Sequence, residues 1–191
     1  MVSDLTKFDI DASLRWIRSF PTKSLARRPD TQLPFVDNAE IGGQPLLLDT
    51  CVYIDRMQGQ STDRVKELMA TRLNNHSSVA IQELAHTIGV LDPADPRTPN
   101  VVRVIKEVIS SMPGHRILTP DVDILGRAAV LNGIICRIQG YTNSQRLRCL
   151  QDCTLYLLAL KYGLIVSTKN ISDYDFCNQL VPSGRVLFYR N

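Results

Sequence analysis

Four acidic side chains follow or lie near apolar segments of the chain. The first, Asp49, comes directly after Leu46-Leu47-Leu48, a run typical of a buried parallel strand. The others lie in three later segments: Glu83, Asp152 and Asp173. Because strand ends on one edge of an open α/β sheet gather in space, we expect these four carboxylates to share one pocket.

Carboxylates packed together repel one another, and a divalent cation relieves that repulsion. The oxygen donors favour Mg²⁺ or Mn²⁺, because no His or Cys competes at a sensible ligand spacing. The amide oxygen of Asn170 is a further candidate ligand, and either Asn170 or Asp173 would fill the fourth acidic position. Such an ion can activate water and neutralise charge on a phosphate, so the pattern predicts a metal-dependent nuclease.

Each acid also has a simpler interpretation. Asp49 alone could be the phosphoacceptor of a receiver domain or the nucleophile of a haloacid-dehalogenase-type phosphatase, although the latter expects Asp-x-Asp and Cys51 stands at the second position. It could also be a structural Asp at a strand end. Glu83 could be a first-turn Glu favoured by the helix dipole. A structural role is harder to assign to Asp152, since an acid in an apolar helix is unusual without a partner.

Composition sets broad limits. A chain of 191 residues with 44% hydrophobic content can bury one sizeable core, which predicts one domain and an appendage. The net charge of +3 permits contact with nucleic acid but does not argue for it. Lys169, Arg185 and Arg148 are candidate phosphate contacts, although surface solvation is the simpler role for any one of them.

Cysteine usage and the N-terminal residues bear on the compartment. The five cysteines are odd in number and form no Cys-x-x-Cys pair, so we expect reduced side chains in the core. The N-terminus has no apolar leader, and no apolar run is long enough to cross a bilayer. These observations predict a cytoplasmic protein with no membrane partner.

Hydrophobic periodicity predicts strands separated by helices. The expected strands cover residues 46–48, 76–79, 116–119, 164–168 and 186–189. The expected helices cover residues 13–20, 52–57, 62–73, 81–90, 100–112, 120–139, 145–162 and 172–180, with Asn74-Asn75 ending the third. This alternation predicts an α/β fold with a parallel sheet covered on both faces.

The first 45 residues differ from the rest. A short amphipathic stretch is followed by prolines and by Gly42-Gly43, which predicts a helix and a tether. We therefore divide the chain into an N-terminal extension, residues 1–45, and the domain that carries the acids, residues 46–191.

The segments around the acids resemble the motifs of PIN domains, and among them the VapC type of toxin ribonuclease from bacterial toxin–antitoxin modules. The resemblance covers about residues 46–190. Its motifs are LLLDT at 46–50 with VYI at 52–54, SVAIQEL at 78–84, DCTLYLLAL at 152–160 with YGL at 162–164, and VSTKN at 166–170. Two positions depart from the family pattern: Cys51 stands where Asn is common, and Asn170 where many members have a fourth acid.

The resemblance implies a three-layer α/β/α sandwich and a magnesium-dependent endoribonuclease that hydrolyses RNA. It further implies the toxin of a type II pair, a homodimer and neutralisation by a cognate antitoxin. By the same comparison, Asp49, Glu83 and Asp152 would be metal ligands, and the hydroxyl groups of Thr168 and Thr50 would support them. The alternative is a catalytically inactive PIN-like scaffold that binds RNA or protein, which the non-acidic Asn170 and the additional N-terminal segment would favour.

Overall fold

A computed structural model describes residues 8–19 and 22–191, and its centre is a parallel sheet. The sheet formed by these residues has five strands in the order β3-β2-β1-β4-β5, and every neighbouring pair is parallel. The strands are β1 (Leu46–Leu48), β2 (Asn74–Ser77), β3 (Ile117–Leu118), β4 (Ile165–Thr168) and β5 (Arg185–Phe188). The prediction of an α/β fold with a parallel sheet is confirmed.

Eight α-helices connect and flank these strands within the described residues. They are α1 (Ile10–Ser19), α2 (Thr50–Met57), α3 (Asp63–Thr71), α4 (Ser78–Val90), α5 (Thr98–Ser110), α6 (Val122–Gln139), α7 (Asn143–Tyr162) and α8 (Ile171–Leu180). Short 3-10 turns occupy Asp30–Gln32, Val36–Asn38 and Gly114–Arg116. None of the described helices is long and apolar enough to cross a membrane.

Most predicted boundaries lie within a few residues of the observed ones, and one correction concerns the start of β2. Asn74 and Asn75 do not end a helix but begin β2, where they pair with Leu46 and Leu47. The Asn75 side chain also donates to the Leu46 carbonyl oxygen at 3.1 Å. Asparagine has low strand propensity, but these cross-strand contacts override it.

The apolar run of β1 is buried on both faces of the sheet. Leu47 belongs to one apolar cluster, which includes residues of α6, α7 and α8. Leu46 and Leu48 belong to a second cluster, which includes residues of α2, α3, α4 and α5. Because successive strand side chains point to opposite faces, three consecutive leucines require helices on both sides.

The segment of residues 25–41, called here the N-terminal segment, packs against the sheet and α8. Leu33 and Val36 are buried, and Phe35 forms a parallel bridge with Phe188 beside the outer strand β5. The backbone N–H and guanidinium of Arg28 donate to the carboxylate of Asp175, which is fully buried. The prediction of a tether is therefore wrong for this segment, because its apolar side chains are part of the core.

Arg64 of α3 and Arg72, which caps the end of α3, also bind the same segment. Arg64 donates to the Val36 carbonyl oxygen at 3.1 Å, and Arg72 donates to that of Ile41 at 3.0 Å. Helix α1 packs against α6, where the Arg127 guanidinium lies 5.6 Å from the centre of the Trp16 ring. The helix predicted over 13–20 starts earlier, and its last residue lies outside the described part of the chain.

Candidate functional site

Asp49 follows β1 and is the N-cap of α2, so strand and helix together fix its carboxylate. One oxygen accepts the Thr50 backbone N–H at 2.7 Å. The other accepts the Thr168 hydroxyl at 2.6 Å and lies 3.1 Å from the Cys51 sulfur. Only 5% of the residue is exposed. Thr168 therefore contacts this acid through its hydroxyl and Thr50 through its backbone N–H, and both residues were predicted from the sequence to support the acids.

Glu83 reaches the same place from α4. The Thr50 hydroxyl donates to its carboxylate, which ties the start of α2 to the second turn of α4. Because α4 begins at Ser78, no acid lies in its first turn, so the first-turn interpretation of Glu83 is wrong. The sequence placed the start of this helix too late, since it did not recognise Ser77 as the cap that accepts the Val79 N–H.

Asp152 lies within the most buried stretch of α7, and 6% of the residue is exposed. The Asn170 side-chain amide donates to Asp152 at 2.9 Å and to Asp173 at 2.9 Å. Asn170 is the N-cap of α8, and its backbone N–H donates to the Thr168 hydroxyl. One amide therefore joins two carboxylates to the end of β4 and, through Thr168, to Asp49.

Two contributors were not recognised from the sequence as parts of the site. Tyr141 follows the Gly140 cap of α6, and its hydroxyl donates to Asp173. The sulfur of Cys51 contacts Asp49 and accepts the backbone N–H of Lys169 at 3.3 Å. No local pattern marks the contact of Tyr141 with Asp173 or that of Cys51 with Lys169, because these partners are distant in sequence. The position of Tyr141 after a helix-ending glycine shows only that it begins a loop.

Burial and mutual repulsion raise the proton affinity of three of the acids. Desolvation raises the pKa of Asp49 despite the hydrogen bonds that it accepts from Thr168 and Cys51. Desolvation, followed by the charges of Asp49 and Asp173, raises the pKa of Asp152 well above its ordinary value. Desolvation also raises the pKa of Glu83, with the Asp49 charge adding to the effect. These carboxylates lie close enough to oppose one another's ionisation.

Positive charge near the acids comes from two side chains. Arg148 is exposed one helical turn before Asp152 on α7, and its charge lowers the pKa of Glu83. It also lines a cavity of about 180 Å³ with Tyr141 and Asp173. Lys169, by contrast, is paired with a buried acid, Asp55, which also accepts the Tyr189 hydroxyl at 2.8 Å. Of the two cations, Arg148 is the one without an ion pair among the described residues.

The donor set fits a hard divalent cation, since it offers carboxylate and amide oxygens at one sheet edge. In their present rotamers, no three His, Cys, Asp or Glu side chains of the described residues are placed to hold one ion. The Glu83 and Asp152 carboxylates instead accept hydrogen bonds from Thr50 and Asn170. Ion binding would therefore require these two carboxylates to exchange a hydrogen bond for a metal contact.

Comparisons with known proteins identify the fold. No known protein-family profile matches the sequence, and no curated protein matches it. Solved structures do match. A chain of FitAcB from Neisseria gonorrhoeae has 18% identity and a TM-score of 0.54, over 75% of this chain and 96% of that one. A chain of VapBC2 from Rickettsia felis, bound to a DNA fragment from its promoter, has 11% identity and a TM-score of 0.53, over 76% and 99%.

A DNA-bound VapBC from Salmonella typhimurium has 17% identity and a TM-score of 0.52, over 75% of this chain and 97% of the matched one. At such identities the likeness concerns the fold. The parallel five-stranded sheet and the eight helices of the described residues are consistent with a PIN-like fold.

Proposed function

We propose that the chain is a magnesium-dependent endoribonuclease, a hydrolase of RNA phosphodiesters. The observation that carries the proposal is the hydrogen-bonded cluster at the carboxyl edge of the sheet. Thr168 connects Asp49 to Asn170, and Asn170 connects Asp152 to Asp173. The elements that supply these groups are far apart in sequence, so their convergence is a property of the fold.

Asp49, Glu83, Asp152 and Asp173 would hold Mg²⁺ or Mn²⁺, with the Asn170 oxygen as a further donor. When bound, the ion supplies activation of water and neutralisation of phosphate charge. Four carboxylates at one place otherwise repel both one another and a phosphate. The pKa of Asp152 is raised first by desolvation and then by this repulsion, from the charges of Asp49 and Asp173. The protein's own contribution is to fix the positions of these acids.

Neighbouring side chains orient the acids. The Thr168 hydroxyl and the Thr50 N–H hold the two oxygens of Asp49, so this carboxylate has little rotational freedom. The Tyr141 hydroxyl and the Asn170 amide hold the two oxygens of Asp173 in the same way. Such supporting hydrogen bonds around ligands are a common requirement of metal sites.

Arg148 would bind the RNA backbone beside the acids. It lines the small cavity next to Asp173, and its guanidinium can form two parallel hydrogen bonds with a phosphate. Lys169 is less suited to this role, because its ammonium is already paired with Asp55. Arg148 would thus offset the repulsion between the acids and the substrate.

The proposed biological role rests on the solved structures that share the fold. VapBC and FitAB complexes support a link to a toxin–antitoxin system, so we propose that the chain is the toxin of a type II pair. We also propose a cognate antitoxin, a homodimer, a cytoplasmic location and a three-layer α/β/α sandwich. Residues 46–191 would form the nuclease domain and residues 1–45 its extension.

The second candidate is a catalytically inactive scaffold that binds RNA or protein. Two observations favour it: the amide of Asn170 stands where many PIN domains have an acid, and no three metal-binding side chains of the described residues are already placed around one point. Three retained acids argue against loss of the site, because a decayed site has no reason to keep buried, mutually repelling carboxylates.

Metal titration of the purified protein separates the two candidates. A site that binds Mg²⁺ only in the folded state should raise the free energy of unfolding by about 2.7 kcal/mol at a hundredfold excess over Kd. A scaffold should show no such gain. RNA cleavage is then followed with Mg²⁺, with Mn²⁺ and with excess chelator.

The variant Asp49→Asn should remove both cleavage and metal-dependent stabilisation. Asp63→Asn is the matched control, because the Asp63 side chain is almost fully exposed on α3 and contacts only Lys66 through a surface pair. Undiminished cleavage by the wild-type protein in excess chelator would refute the proposal.

A further inference from the structure

A second polar cavity lies between α2, α3, α5 and the strand β2, and none of the four acids lines it. Its volume is about 220 Å³, and both Arg56 and Arg116 line it. An adjoining cavity shares Arg56 and Asn74 with it and adds Lys66. Asn74 begins β2 and Leu48 ends β1, so the cavity runs beside these two strands as far as the residue before Asp49.

The two arginines converge on one pair of side chains. Tyr53 and His76 share a hydrogen bond of 2.7 Å and line the same cavity. Desolvation is the main cause of the pKa shifts of both side chains. The charges of Asp49 and Arg56 also act on the pKa of Tyr53, and the Arg116 charge acts on that of His76. Both guanidiniums therefore lie within electrostatic range of this one pair.

Asp49 is the anion whose charge reaches this pair, through Tyr53, and it lies outside the cavity. Neither cavity is lined by an Asp or Glu of the described residues. Across the same residues, the guanidiniums of Arg56 and Arg116 take part in no ion pair or hydrogen bond, whereas Lys66 is paired with Asp63. Two uncompensated cations beside apolar walls create a positive potential that favours an anionic ligand.

We propose that this cavity binds the phosphate group of a nucleotide, either free or as part of RNA. The two guanidinium groups would grip the phosphate oxygens, since their planar donors match phosphate geometry. Ser111 also lines the cavity, but its hydroxyl already donates to the Val108 carbonyl oxygen at 2.7 Å, so the two guanidinium groups are the principal donors. The volume suits a phosphate with part of its ribose rather than a whole base. The site shares no residue with the acidic cluster and does not depend on nuclease activity.

Binding is tested by NMR titration of the full chain with inorganic phosphate, adenosine 5′-monophosphate and a short 5′-hydroxyl RNA. The RNA arm uses the Asp49→Asn background, so that cleavage cannot confuse it. Arg56→Gln and Arg116→Gln should each weaken phosphate binding at least tenfold. Arg137→Gln is the matched control, because it removes one exposed charge from α6, remote from this cavity.

The probes also separate the sources of the ligand. Tighter binding of the monophosphate than of the RNA indicates a free nucleotide, and the reverse indicates the RNA backbone, provided that both arginine variants weaken the favoured probe. Arg56→Lys keeps the charge but loses the paired donors, so it should retain only part of the affinity. It also tests the site if Arg116→Gln fails to fold.

Absence of saturable binding of all three probes at millimolar concentration would overturn the proposal. So would an equal loss of affinity in the Arg137→Gln control, which would indicate non-specific charge attraction.

Discussion

Replacement of Asp152 by Asn should stabilise the metal-free protein while abolishing its activity. The carboxylate is buried, and its neighbours include the charges of Asp49 and Asp173. Its one hydrogen-bond donor is the Asn170 amide, which is neutral. Asparagine has nearly the same shape and can accept the same hydrogen bond, so the substitution removes charge without leaving a cavity.

The magnitude follows from two opposing contributions. A hydrogen bond to a charged group contributes about 1.5–3 kcal/mol and a neutral one about 0.5–1.5 kcal/mol, so the weaker Asn170 contact costs about 1 kcal/mol. Burial of a carboxylate without a cationic partner costs several kcal/mol. The net gain should therefore be about 2 kcal/mol, which corresponds to a rise in Tm of about 4–8 °C for a chain of this size.

The pH dependence has a definite sign. Because the pKa of Asp152 is raised above 3.8 in the folded chain, the folded state holds this proton more tightly than the unfolded state. The stability from this group is fully present in acid and is lost as the pH rises through the folded pKa. The raised pKa values of Asp49 and Glu83 act in the same direction. The gain in unfolding free energy from Asp152→Asn should therefore begin once the pH exceeds the ordinary pKa of an aspartate. It should grow until the pH reaches the pKa that Asp152 has in the folded chain.

The assay is urea or thermal unfolding in chelator from pH 4 to pH 9, repeated at pH 8 with Mg²⁺. Wild-type protein should gain stability from the ion, and Asp152→Asn should gain little. The exposed substitution Asp63→Asn should change neither curve by more than about 0.5 kcal/mol. A variant that is less stable than wild type in chelator at pH 8 would refute the reasoning, because Asp152 would then stabilise the metal-free fold.

Three further predictions concern other contacts. Asp173→Asn should reduce RNA cleavage more than Asn170→Ala does, since an amide can ligate Mg²⁺ but does not offset its charge; an equal or larger loss in Asn170→Ala would contradict this. Arg148→Gln should weaken RNA binding about tenfold and lower the salt dependence by about one phosphate contact without weakening Mg²⁺ stabilisation, whereas an unchanged RNA affinity would exclude the contact. Arg28→Ala should lower the free energy of unfolding by about 2 kcal/mol in urea denaturation, because the buried Asp175 carboxylate keeps only two neutral donors, the backbone N–H of residue 28 and the Gln179 amide. Water screens the lost ion pair in part, since the Arg28 side chain is about one-third exposed, and a loss below about 0.5 kcal/mol would show that the pair contributes little.

The sequence alone was sufficient for the framework of the fold. The leucines of β1 predicted a strand buried on both faces, and their membership of two apolar clusters confirms it. Gly140 and Gly163 end α6 and α7 in the left-handed conformation, near the boundaries that the sequence predicted. Such features depend on residues close in sequence, so local patterns report them. The acids at strand and helix ends were also visible as candidates for the same reason.

Only the tertiary structure decided which side chains support those acids. Tyr141 meets Asp173, and Arg28 meets Asp175 across most of the chain length. Likewise the sulfur of Cys51 accepts the backbone N–H of Lys169. A side chain's partner depends on how helices and strands pack, and no local periodicity encodes that arrangement. The sequence therefore determined where acids stand along the chain, while packing determined which hydrogen bonds hold them, because those bonds join residues that only the folded core brings together.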